Sequence, residues 1–79
     1  MTVTVLLFAS YAEQFGKNSM TLELPEGTRV DEALSRIQAG AVGRLPPKPL
    51  VAVNQTYAKG SDVLRSGDEL AIIPPVAGG

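Results

Sequence analysis

The chain has 79 residues, enough for one domain and too few for two. Its apolar share of 44% suits a globular core, and its formal charge of −1, with no block of Lys or Arg, argues against nucleic acid as the main partner. It has no Cys and no His, which excludes disulfides, thiolate nucleophiles, iron–sulfur ligation, imidazole base catalysis and the usual zinc sites.

The longest apolar runs, such as Val5 to Ala9, are far too short to cross a bilayer, so no membrane role is expected. No charged segment followed by an apolar one opens the chain. That pattern marks export signals, and the cytoplasm is therefore the expected location. The acidic residues are scattered instead of being set in a calcium-type loop, and no metal site is expected.

Thr2 to Phe8 opens with strict alternation and predicts a strand with Val3, Val5 and Leu7 on one face. Ser10-Tyr11-Ala12-Glu13 has the form of a capping box and predicts a short helix that stops at Gly16. Met20 to Leu24 alternates again and is closed by Pro25, which predicts a second strand. Thr28 is the expected N-cap of the longest helix, with Asp31 and Glu32 in its first turn, where carboxylates suit the helix dipole. Val30, Ala33, Leu34 and Ile37 recur at helical spacing as one apolar stripe, and Gly40 is the expected stop.

Gly43 to Pro49 holds three prolines and reads as a loop. Leu50 to Val53 predicts a third strand, turned at Asn54-Gln55 into Thr56-Tyr57-Ala58. Ser66-Gly67-Asp68 reads as a turn and Glu69 to Ile73 as the last strand. Pro74-Pro75 ends it, because neither residue has an amide to give a ladder.

This order predicts an α+β domain over residues 1–79. An opening hairpin, one main helix crossing the sheet and a final strand returning to the middle make a mixed sheet with the helix on one face. That is the β-grasp, or ubiquitin-like, arrangement. A ferredoxin-like α+β sandwich starts in a similar way, and pattern alone leaves both open.

The segment Glu69 to Gly79 resembles the ending of molybdopterin synthase small subunits, the MoaD/ThiS family of sulfur carriers. Those proteins finish with a Gly-Asp-Glu turn, an apolar strand, Pro-Pro-Val and a terminal Gly-Gly. Here the turn is Gly67-Asp68-Glu69, followed by Pro74-Pro75-Val76 and Gly78-Gly79. Ala52 to Thr56 resembles a strand and turn of the same family, as does Leu6 to Ala9 followed by a short helix. The resemblance spans essentially the whole chain and is least in Ala39 to Lys48.

The resemblance implies a mechanism centred on the C-terminal carboxylate of Gly79. A free α-carboxylate has a pKa of roughly 3.5 and is a poor electrophile when ionised. An activating enzyme resembling ubiquitin-activating enzymes would adenylate it from ATP, and a sulfur donor system would convert the acyl-adenylate to a thiocarboxylate. That group would give its sulfur to a pterin precursor in the large catalytic subunit, within a heterotetramer. The chain would bind no cofactor of its own and would be non-catalytic alone.

Glycine at 78 and 79 suits such a task, because a backbone without Cβ can thread a narrow channel and approach catalytic groups closely. Alone, two terminal glycines read as an untethered chain end. The stiff Pro74-Pro75 and the apolar Val76 before them point instead to a flexible functional tail over residues 76–79.

Alternation also predicts a docking face. If Val3, Val5 and Leu7 face the core, then Leu6 and Phe8 face outward, as do Ala71 and Ile73 in the last strand. Phe8, Leu6, Tyr57, Ile73, Pro74, Pro75 and Val76 are the expected partner-binding residues, with Phe8 and Ile73 exposed. The competing reading of Phe8 is a second small core under a loop. Arg44, Lys48, Lys59 and Arg65 are spread apart and read as solvated surface. Two rival functions stay open: a sulfur carrier for thiamine-thiazole or another thiocarboxylate route, and a ubiquitin-like interaction module without terminal chemistry.

Overall fold

The computed structural model describes residues 1–39 and 49–74. The Gly40 stop, the loop from Gly43 and the tail residues Pro75, Val76, Gly78 and Gly79 lie outside the described residues. Seven elements follow in order: β1 (Thr2–Leu7), α1 (Ala9–Phe15), β2 (Ser19–Glu23), α2 (Val30–Ala39), β3 (Leu50–Val53), β4 (Thr56–Ala58) and β5 (Glu69–Ile73).

The strands form one mixed sheet in the order β2-β1-β5-β3-β4. β1 pairs with β2 antiparallel and with β5 parallel, in the register Leu6 to Ala71 and Leu7 to Ile72. Parallel pairing of the first and last strands is the expected signature of the β-grasp arrangement, which decides against the ferredoxin-like alternative. α2 follows the edge strand β2 and precedes β3 on the other side of the central pair, so the chain crosses the sheet between them.

The alternation of β1 and β5 is realised as read. Val3, Val5, Leu7, Leu70 and Ile72 are buried together with Val30, Ala33 and Ile37 of α2, and Leu34 packs partly against them. Tyr11 and Phe15 anchor α1 in the same core. Leu64 joins it at 1% exposure from a segment without regular structure. Burying side chains of this size is the main stabilising contribution, roughly 1.5–3 kcal/mol for each relative to leaving it exposed.

Both expected N-caps are corrected. α1 begins at Ala9, one residue before Ser10, with Phe8 in the capping position and no side-chain cap. The Phe8 carbonyl accepts the amides of Tyr11 at 3.0 Å and Ala12 at 3.3 Å. Gly16 ends the helix as read, at φ 73°.

Thr28 does not cap α2. Its hydroxyl donates to the Pro25 carbonyl at 2.7 Å, and its own carbonyl accepts the Leu64 amide at 2.9 Å. The reason is tertiary. Arg29 forms an antiparallel bridge with Val63, so residues 60–64 lie against the helix start. The Asp62 and Gly60 carbonyls accept the Val30 and Asp31 amides at 2.9 and 3.0 Å. Glu32 reaches back to the Arg29 amide at 2.8 Å, half of a capping box built one residue later than the sequence suggests.

Candidate functional site: the outer face of the sheet

The face of the sheet opposite α2 carries the apolar residues that alternation leaves over. Register places Leu6, Ala71, Ala52 and Tyr57 in one row across β1, β5, β3 and β4. In the neighbouring row Ile73 pairs with Leu50. Phe8 follows the end of β1 with an extended backbone, so the alternation continues through it to the outer face. Phe8, Ala52, Gln55, Tyr57, Ala71 and Ile73 line a shallow groove of about 300 Å³.

Exposure within this group is graded. Tyr57 is 72% exposed, Leu50 49% and Phe8 46%. Leu6, Ala71, Ile73 and Pro74 are half-buried, and Ala52 is buried. Phe8 is therefore a surface residue, against the second-core reading. Ile73 corrects an expectation of exposure: paired with Leu50 and sharing the groove with Phe8, it is partly covered.

Two turns hold the rim of the groove. Asn54 and Gln55 join β3 to β4 with φ of 51° and 69°, the double positive φ of a two-residue hairpin turn. Asn54 also ties this turn to the start of β5. Its side-chain amide donates to Asp68 Oδ1 at 2.9 Å and its carbonyl oxygen accepts the Glu69 amide at 3.0 Å. Asp68 Oδ2 in turn accepts the Arg65 amide at 2.8 Å. The Asn54 and Gly67-Asp68-Glu69 turns, distant in sequence, thus form one junction that fixes β5 against β3.

The structure brings Phe8, Leu6, Tyr57 and Ile73 to one face. Pro74 follows β5, half-buried and outside the groove lining, and Pro75, Val76, Gly78 and Gly79 lie outside the described residues. Leu50, Ala52 and Gln55 were missed by sequence reasoning. The alternation of Leu50-Val51-Ala52-Val53 could have assigned the first two to the outer face, whereas nothing in the sequence marks Gln55. Lys59 and Arg65 are exposed and take no part in the groove. Among the described residues no group of three or more His, Cys, Asp or Glu is placed to hold a metal, and no helix is long and apolar enough to cross a membrane.

Comparison with known proteins agrees with this geometry. The ThiS family model matches residues 5–79. A molybdopterin synthase sulfur carrier subunit of Chlamydomonas reinhardtii is 39% identical over 83 residues, covering 100% of both chains. The subunit of that name from Homo sapiens is 35% identical over 82 residues, covering 98% of this chain and 93% of its own. Among solved structures, a putative molybdopterin converting factor subunit 1 from Pyrococcus furiosus superposes with a TM-score of 0.84 at 27% identity, covering 96% of this chain and 99% of that one. With one sheet topology, one apolar outer face and a sequence match running from β1 to the last glycine, the chain belongs to the ThiS family.

Proposed function

We propose that this chain is the sulfur-carrier subunit of a molybdopterin synthase, and that the α-carboxylate of Gly79 is its reacting group. One observation supports this most. The exposed apolar groove is built around β5, the strand that the Pro-Pro-Val-Ala-Gly-Gly segment follows directly in sequence. A partner gripping the outer face would receive the tail at a fixed origin. Four residues, 76–79, can extend about 13–14 Å from it, long enough to reach a recessed catalytic centre.

The chemistry needs activation first. The carboxylate oxygen attacks the α-phosphorus of ATP in the activating enzyme, and pyrophosphate leaves. Sulfide-level sulfur from the donor system then attacks the acyl-adenylate carbonyl. The C–O bond to AMP breaks, AMP leaves with the bonding pair, and the product is the thiocarboxylate. Docked on the large subunit, the thiocarboxylate sulfur bonds to the pterin precursor. Water then attacks the Gly79 carbonyl and breaks its C–S bond, leaving the sulfur on the pterin and regenerating the carboxylate. Gly78 and Gly79 let both partners approach the reacting carbonyl without a Cβ in the way. The groove of Phe8, Tyr57 and Ile73 serves both partners in turn, because the chain must leave one to reach the other.

Deleting Gly79 tests the reading in a reconstituted system of activating enzyme, sulfur donor, large subunit and pterin precursor. The carboxylate retreats by about 3.5 Å. Since about 1 Å of misplacement can already reduce a rate a hundredfold, sulfur transfer should nearly vanish. Normal transfer by the shortened chain would rule the mechanism out. Transfer by the intact chain to a thiazole acceptor and none to the pterin precursor would assign the same chemistry to the other route.

A further inference from the structure

The junction between β1 and α1 contains a backbone conformation that an ordinary residue adopts reluctantly. Ala9 has φ 47°, in the left-handed region that favours glycine, although its side chain is alanine. Ala9 is exposed, so its methyl group is no part of the core. Packing does not explain it.

Its neighbours suggest what it does. Leu7 is buried, and its amide donates to the Asn18 carbonyl at 2.8 Å. Tyr11, four residues on, is buried in the same core. Phe8 lies between these anchors and on the opposite face, 46% exposed and lining the groove. Within three residues the chain must send one ring outward and the next inward. Phe8 itself stays extended at φ −123° and ψ 153°. The reversal therefore falls on Ala9.

We propose that Ala9 is a positioning residue that holds Phe8 preorganised for partner docking; this rests on the docking role given above to the outer face. Where the chain path demands a positive φ, alanine has only the narrow left-handed well. Glycine would tolerate that well without strain but would also visit many others. With alanine at 9, the Phe8 carbonyl stays aimed at the Tyr11 and Ala12 amides, and the Phe8 ring stays on the groove. With glycine, the joint can swing, and ordering the ring is left to the binding step.

The test is titration calorimetry of the chain with the molybdopterin synthase large subunit of the same organism, alongside thermal unfolding. Ala9→Gly should weaken binding by about threefold to tenfold, the range expected when one aromatic side chain must be ordered on docking. Its melting midpoint should not fall, because relief of strain offsets the added freedom of the unfolded chain. Ala9→Asn keeps a side chain while tolerating the left-handed region, and should bind like the parent. In a Phe8→Ala background, Ala9→Gly should change affinity no further. Equal affinity for Ala9→Gly and the parent, or the same loss with Phe8 already truncated, would overturn the proposal. If Phe8→Ala alone leaves affinity intact, the docking face fails, and the role of Ala9 with it.

Discussion

Truncating Phe8 to alanine separates docking from folding. The residue keeps 46% of its surface in solvent, on the rim of the outer groove. A phenylalanine side chain carries about 200 Å², which leaves about 90 Å² for a partner to cover. At about 25 cal/mol per Å², that surface is worth about 2 kcal/mol of binding, or about thirtyfold in Kd. Phe8 is not among the buried core residues, so the monomer should lose only about 1–2 kcal/mol, less than the roughly 2–5 kcal/mol of a core truncation. Titration against the large subunit and against the activating enzyme measures the first quantity, and denaturant unfolding the second. Unchanged affinity for both partners with the fold intact would refute the docking role. A collapse of the monomer would show instead that Phe8 belongs to the core.

Leu64→Ala should destabilise the fold by about 2–5 kcal/mol in urea unfolding, because the side chain is 1% exposed in the packed core although its segment has no regular structure. Gln55→Gly should raise stability by about 0.5–1 kcal/mol, and the thermal midpoint by a few degrees, because position 55 sits at φ 69° in a two-residue turn where glycine is unstrained. Gly78→Val should nearly abolish sulfur transfer, since a β-branched side chain restricts the tail and obstructs a channel. Its thermal midpoint should match the parent's, because position 78 follows the last strand of the sheet in sequence, where chain ends contribute little to stability.

Strands and the main helix were legible because burial leaves a period in the sequence. Val3, Val5 and Leu7 alternate, and Val30, Ala33 and Ile37 repeat at helical spacing; both sets meet in the core. Helix starts were not legible. Thr28 and Ser10 are good capping residues locally, yet α2 takes its caps from carbonyls about 30 residues away, and α1 starts where Ala9 turns the chain. Leu64 was missed for the same reason: its burial comes from the Arg29–Val63 bridge, which no local pattern encodes. The docking face was legible for β1 and β5, where alternation alone sorts the faces. Alternation could set Leu50 and Ala52 on one face of β3, but only the β5-β3-β4 order brings them and Gln55 beside Ile73 and Tyr57.

The central claim is that the Gly79 carboxylate carries sulfur, and intact-mass spectrometry addresses it directly. The chain would be incubated with its activating enzyme, ATP and a sulfur donor, then weighed whole and after proteolysis. The account predicts a gain equal to the exchange of one oxygen for one sulfur, confined to the C-terminal peptide and absent without ATP. An unchanged mass in an incubation where the same enzyme consumes ATP and loads a known carrier of the family would contradict it.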